Sequence, residues 1–156
     1  MSEDIVKQMI EISNEKLVLL NKLLELTKLQ KTSINNSDMD KLDNLLNQKD
    51  ELIKSIDDLD IKFLTCFSTL KSKNNVDNLD ELDSKDIPSL KKLKEIVGEI
   101  TSTLMAISML DKENTKVIKE ELEEIKASLK TVKNGQRAYS GYNKVLNKNI
   151  MIDEKK

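Results

Sequence analysis

From Leu90 onward, apolar side chains recur at Leu93, Val97, Ile100, Leu104 and Ile107 and, after Asp111 and Asn114, at Ile118, Leu122, Ile125, Leu129 and Val132. Steps of three and four held over about forty residues describe one amphipathic helix, roughly 65 Å long at about 1.5 Å per residue. Its expected span is 88–133, with Pro88 in the first turn, Ser84 or Asp86 as cap, and Asn134-Gly135 as the stop signal. Gly98 inside it costs about 1 kcal/mol relative to Ala.

Two further helices of similar length precede it. Over residues 3–34, one apolar row runs Ile5, Met9, Ile12, Leu19, Leu23, Leu26 and a parallel row runs Val6, Ile10, Leu17, Leu20, Leu24. Two adjacent rows make a wide stripe, so this helix should touch more than one neighbour. Over residues 38–70, Leu42, Leu45, Leu46, Leu52, Ile53, Ile56, Leu59, Phe63, Phe67 and Leu70 repeat the pattern, opened by Ser37 and Asp40 in the form of a capping box. A short polar link between helices of matched length predicts an antiparallel hairpin. Residues 71–87, acidic and with only Val76, Leu79, Leu82 and Ile87 to bury, read as a connection with at most one weak helical turn. Three Gly and one Pro among 156 residues cannot supply the turns of a sandwich or barrel. The fold class is therefore all-α: two long antiparallel helices, a third alongside, in one domain over residues 1–133, and a flexible tail over 134–156.

The same composition excludes much chemistry. With no His, the single thiol, Cys66, lacks a general base, and metal sites built on His and Cys are out of reach. No carboxylate run has the Gly-containing spacing of a calcium loop. No cofactor is expected, and an enzyme is the least favoured class. A formal net charge of -2 offers no basic footprint for nucleic acid. The N-terminal stretch lacks a signal peptide, no segment is apolar enough to span a membrane, and one cysteine suits a reducing compartment, so the chain reads as cytoplasmic.

Several features admit two readings. Asp111 and Asn114, in seam positions, either make an interhelical hydrogen bond that fixes register or are solvated where the bundle flares. Met105 and Met109, with Ile107 and Leu110, are either core filling or a soft binding patch. Cys66, beside Phe63 and Phe67, reads as core packing, and the acidic run Asp77–Asp86 as a solvated loop. After residue 133 the composition changes. The last 23 residues carry two of the three glycines, both tyrosines and the only arginine, with net charge +3 against -5 for the remainder. Tyr139, Tyr142 and the Ile150, Met151, Ile152 cluster are either anchors that order on binding a partner or parts of a tail without a role.

The order of these features resembles the FlgN type of flagellar export chaperone. The opening of the second helix, INNSDMDKLDNLLNQKDELIKSI, is similar to that family's in Asp38, Leu42, Leu45 and Lys49, and LDKENTKVIKEELEEIKASL resembles its late helix in Asn114, Ile118, Leu122 and Ile125. The ending GQRAYSGYN…IMIDEKK is similar to tails of Gram-positive members. The resemblance implies a cytoplasmic chaperone, monomeric or weakly self-associated, that binds the C-terminal helices of the two hook-filament junction proteins and delivers them to the flagellar export apparatus. It assigns client contact to Tyr139, Tyr142, Asn143, Ile150, Met151 and Ile152, and to the end of the third helix at Leu129 and Val132. An amphipathic client helix would then lie in an apolar groove with the tail folded over it. A chaperone for the filament cap or filament protein, and an oligomeric helical scaffold without a client, are the alternatives.

Overall fold

A computed structural model of the chain describes residues 1–139, and within them three α-helices and no strand: α1 (Ser2–Asn35), α2 (Met39–Asn74) and α3 (Leu90–Tyr139). The chain falls into two units, Met1–Asn114, which holds the core, and a second that begins at Thr115.

The turn between α1 and α2 is set by backbone hydrogen bonds that close the last turn of α1. Ser37 N–H donates to Ile34 O at 3.1 Å and Asp38 N–H to Ser33 O at 2.9 Å, the paired 5→2 and 6→1 bonds of a Schellman stop. Ser37 sits at φ 54, in the left-handed region. It therefore ends α1 and does not cap α2. The cap is Asp38, whose carboxylate accepts from Lys41 N–H at 3.1 Å, a correction to the expected capping box. At its far end α2 runs one turn beyond the expected Leu70 and stops at Asn75, φ 53, a residue type that tolerates this conformation.

The hairpin is antiparallel, and within the first unit the part of α3 up to Asn114 lies along it parallel to α1. At one end Val6 and Met9 of α1 pack with Leu70 of α2 and with Leu90 and Leu93 of α3. Further along, Leu20 and Leu23 meet Ile56, Ile96, Ile100 and Ile107. The wide stripe of α1 thus serves both neighbours. The backbones of α1 and α2 approach most closely, whereas α3 is held through its side chains. The connection forms a single 3-10 turn, Leu79–Glu81, and seals the end of the core with buried Leu82 and Ile87 and part-buried Val76 and Leu79. Cys66 packs part-buried against this end with Phe63 and Phe67.

α3 begins at Leu90, two residues after Pro88. Its first turn is capped from a distance. The Glu3 carboxylate of α1 accepts Ser89 N–H at 3.2 and 3.3 Å and also the Ser89 hydroxyl. The hydroxyl's hydrogen bond is the main reason the Glu3 carboxyl titrates below its ordinary value. Neither Ser84 nor Asp86 takes this role. Nor do Asn134 and Gly135 stop the helix: α3 continues through both to Tyr139, without a positive φ at either. The expected end at residue 133 is corrected accordingly.

Candidate partner-binding surfaces

In the first unit the buried positions recur every seven residues, at Val6, Ser13, Leu20, Thr27 and Ile34 of α1, at Leu42, Lys49, Ile56 and Leu70 of α2, and at Leu93, Ile100, Ile107 and Asn114 of α3. Phe63, part-buried, completes the α2 row. This is a coiled-coil seam. It turns polar at one level, where Thr27, Lys49 and Asn114 stand in core positions.

Lys49 is 8% exposed, and its ammonium donates to Gln30 Oε1 and to Asp111 Oδ1, both at 2.9 Å. Asn114, 2% exposed, donates through Nδ2 to the Thr27 carbonyl at 3.2 Å, while the Thr27 hydroxyl bonds the Leu23 carbonyl at 2.8 Å. Solvation is therefore excluded for Asn114, which makes an interhelical hydrogen bond. Asp111 is half-exposed and reaches α2 through Lys49. A buried polar layer of this kind favours one register, because sliding α3 by a heptad would part Lys49 from Asp111 and leave buried Asn114 without the Thr27 carbonyl. Lys49, Gln30 and Thr27 were not singled out as core residues from sequence. The signal was Lys49 standing seven residues from both Leu42 and Ile56.

The two ion pairs of this region also identify the flanks of α3. Glu113 pairs with Lys31 of α1 at 3.7 Å and Asp111 with Lys49 of α2. Position Asp111, four residues after core Ile107, thus marks the α2 side. On the α1–α2 side, an open groove of about 690 Å³ is lined by Asn21, Lys22, Glu25, Leu26, Gln48, Glu51, Leu52 and Ser55, with charges of both signs on its rim. Met105 and Met109 do not fill the core. They are 63% and 64% exposed, while Ile107 between them is buried.

In the second unit α3 carries Leu129 and Val132, the two residues expected to meet a partner at the end of this helix, and with them three more apolar residues. Leu122, Ile125 and Val132 are 49%, 55% and 44% exposed, and Ile118 and Leu129 are part-buried. The steps 118–122–125–129–132 put these five on one helical face. The heptad of the core does not extend to them, since Asn114 is followed by two consecutive steps of four. Tyr139 closes α3, and Tyr142, Asn143, Ile150, Met151 and Ile152 lie outside the described residues. Among the described residues, no group of three His, Cys, Asp or Glu side chains is placed to hold a metal ion, and no helix is long and apolar enough to cross a membrane.

No curated protein and no solved structure shows significant similarity to the chain. The family model described as FlgN protein, however, matches residues 1–147, a span that takes in the hairpin, the acidic connection and the whole of α3. With that span matched and an all-helical bundle beneath it, the chain belongs to the FlgN family, a family of chaperones of flagellum assembly and export rather than of enzymes.

Proposed function

We propose that this chain is the export chaperone of the hook-filament junction proteins, and that it holds their C-terminal helices on the late part of α3 until they are handed to the export apparatus. The observation that carries the reading is the exposed row Leu122, Ile125 and Val132 with Leu129 beside it. An apolar face of five residues at helical spacing suits a second amphipathic helix, whose own stripe would cover it. Tyr139, Tyr142, Asn143 and Ile150 to Ile152 follow the face directly in sequence and would close over the bound helix. In this reading the chain acts in the cytoplasm as a monomer or weak self-associate. Ordering the tail on binding lowers the net affinity, which suits a client that must be released for secretion.

Calorimetry of the full chain with C-terminal segments of the two junction proteins, the filament cap protein and filament protein tests the reading. The junction segments should bind one-to-one and the others should not. Leu122→Asp/Ile125→Asp should weaken binding by at least about 100-fold, the loss of two buried anchors, with helicity unchanged. Removal of residues 140–156 should weaken it less. Equal binding by the double variant would refute the assignment to this face, and binding of none of the four segments would refute the client class.

A further inference from the structure

The five apolar residues of the late face keep a strict rhythm. Ile118, Leu122, Ile125, Leu129 and Val132 follow one another at steps of four, three, four and three, the a and d spacing of a coiled-coil seam. Ile118, Ile125 and Val132 take the d positions, and Leu122 and Leu129 the a positions. One further helix running along such a seam covers it, and the residues on the two borders, the e and g positions, then face the borders of that helix.

The two borders differ in charge. Each d residue is followed by a lysine, so Lys119, Lys126 and Lys133 recur every seven residues along the e border. The g border, directly before the a residues, holds Glu121 and Ser128. Lys119 and Lys126 are exposed, and neither takes part in an ion pair among the described residues. The other acids of this stretch, Glu120, Glu123 and Glu124, occupy the outer f, b and c positions. An exposed apolar seam with a cationic border has an acidic complement. A second copy of the chain does not supply it. Antiparallel self-pairing sets the e border against itself, lysine on lysine. Parallel self-pairing sets e against g, which gives Lys126 the other copy's Glu121 but offers Lys133 only Ser128 and Lys119 only Asn114, a buried residue.

We infer that the helix held on the late face of α3 carries aspartate or glutamate at heptad spacing, on the border that meets Lys119 and Lys126. The inference rests on the reading of this face as the client site and adds the chemistry of the client. A helix with acids directly before its a residues lies parallel to α3, and one with acids directly after its d residues lies antiparallel, so the acidic border also fixes direction. Border charges of this kind select a partner more than they add affinity, and their effect declines with salt.

The test uses two synthetic heptad peptides with the full-length chain, read by fluorescence anisotropy at low salt. Both have leucine at a and d. One has glutamate and the other lysine at every e and g position, which keeps each from pairing with itself. The glutamate peptide should bind about tenfold more tightly, the effect of exposed charge pairs that attract in one peptide and repel in the other. Lys119→Gln/Lys126→Gln should abolish the margin with circular dichroism unchanged, since Gln and Lys have similar helix propensity, and Lys119→Glu/Lys126→Glu should reverse it. Leu122→Asp/Ile125→Asp should lose both peptides. If that variant loses both but the parent binds the two alike, or if the margin survives in the glutamine variant, the face stands and the acidic border is overturned. If it binds both as the parent does, the face is not the site and the reading beneath the inference falls as well. Sedimentation of the full chain completes the test: a dimer that the Leu122 and Ile125 changes dissociate would make a second copy the occupant and overturn the inference.

Discussion

Removing one side of the polar layer should be worse than removing both. Gln30 is 7% exposed and accepts one of the two hydrogen bonds that Lys49 donates. Gln30→Leu takes that bond away and leaves a buried ammonium with Asp111 alone, a half-exposed partner that water already screens. A lost hydrogen bond to a charged group in a buried site costs about 1–3 kcal/mol. Lys49→Met/Gln30→Leu replaces the whole contact by side chains of similar length, and Asp111 is free to turn to solvent. The desolvation of the ammonium disappears with it, so the double variant should equal or exceed the parent by about 1 kcal/mol. In a chain of this size each kcal/mol moves the melting temperature by about 2–4 °C. Thermal and urea unfolding followed by circular dichroism should therefore show Gln30→Leu melting about 2–12 °C below the parent and the double variant at or above it. A Gln30→Leu protein as stable as the parent, or a double variant whose loss is the sum of the two single losses, would refute the view of Lys49 as a buried charge dependent on Gln30.

Glu3→Gln removes the carboxylate that caps α3. Because the folded Glu3 titrates below its ordinary value, its contribution is present above that value and is lost as pH falls through the lowered one. The melting temperatures of Glu3→Gln and parent should accordingly differ at neutral pH and converge in acid, and a constant gap across a pH series would count against the cap. Gly98→Ala should stabilise the chain by about 1 kcal/mol, since a Cβ there meets nothing within 4 Å and the backbone has no positive φ. A lower melting temperature for this variant would mean that the α1–α3 side is more crowded than the structure has it.

What the sequence made legible was whatever depends on apolar spacing. The three helices, the hairpin and the plug of Leu82 and Ile87 in the connection all follow from rows of Leu, Ile and Val, because burial of such rows dominates the energetics. Polar core residues hide from that logic. Ser13, Thr27 and Lys49 occupy the same seven-residue rows as their apolar neighbours, yet a reading that tracks only hydrophobic residues steps over them. Helix ends were harder still. Asn134-Gly135 is a stop signal of about 1 kcal/mol, too weak to end a helix whose flanking residues favour continuation. The α3 cap comes from Glu3, a residue no local rule would select. Of the partner surfaces, Leu129 and Val132 were legible from periodicity, and the exposure of Leu122, Ile125, Met105 and Met109 was not, since spacing reports a stripe without reporting what covers it.

The bond between Glu3 and Ser89 joins residues 86 apart, and that separation has a kinetic meaning. During synthesis α1 and α2 emerge first and can pair through a three-residue turn, a closure that costs little chain entropy. Glu3, made before them, has to wait for the acidic connection and the start of α3 before it acquires its partner. The hairpin is thus the natural folding nucleus and the seating of α3 the late, non-local event, with a rate set by loop closure. Unfolding should run in reverse order, so amide protons near Ser89 and Leu90 should exchange sooner than those in the middle of α1 and α2.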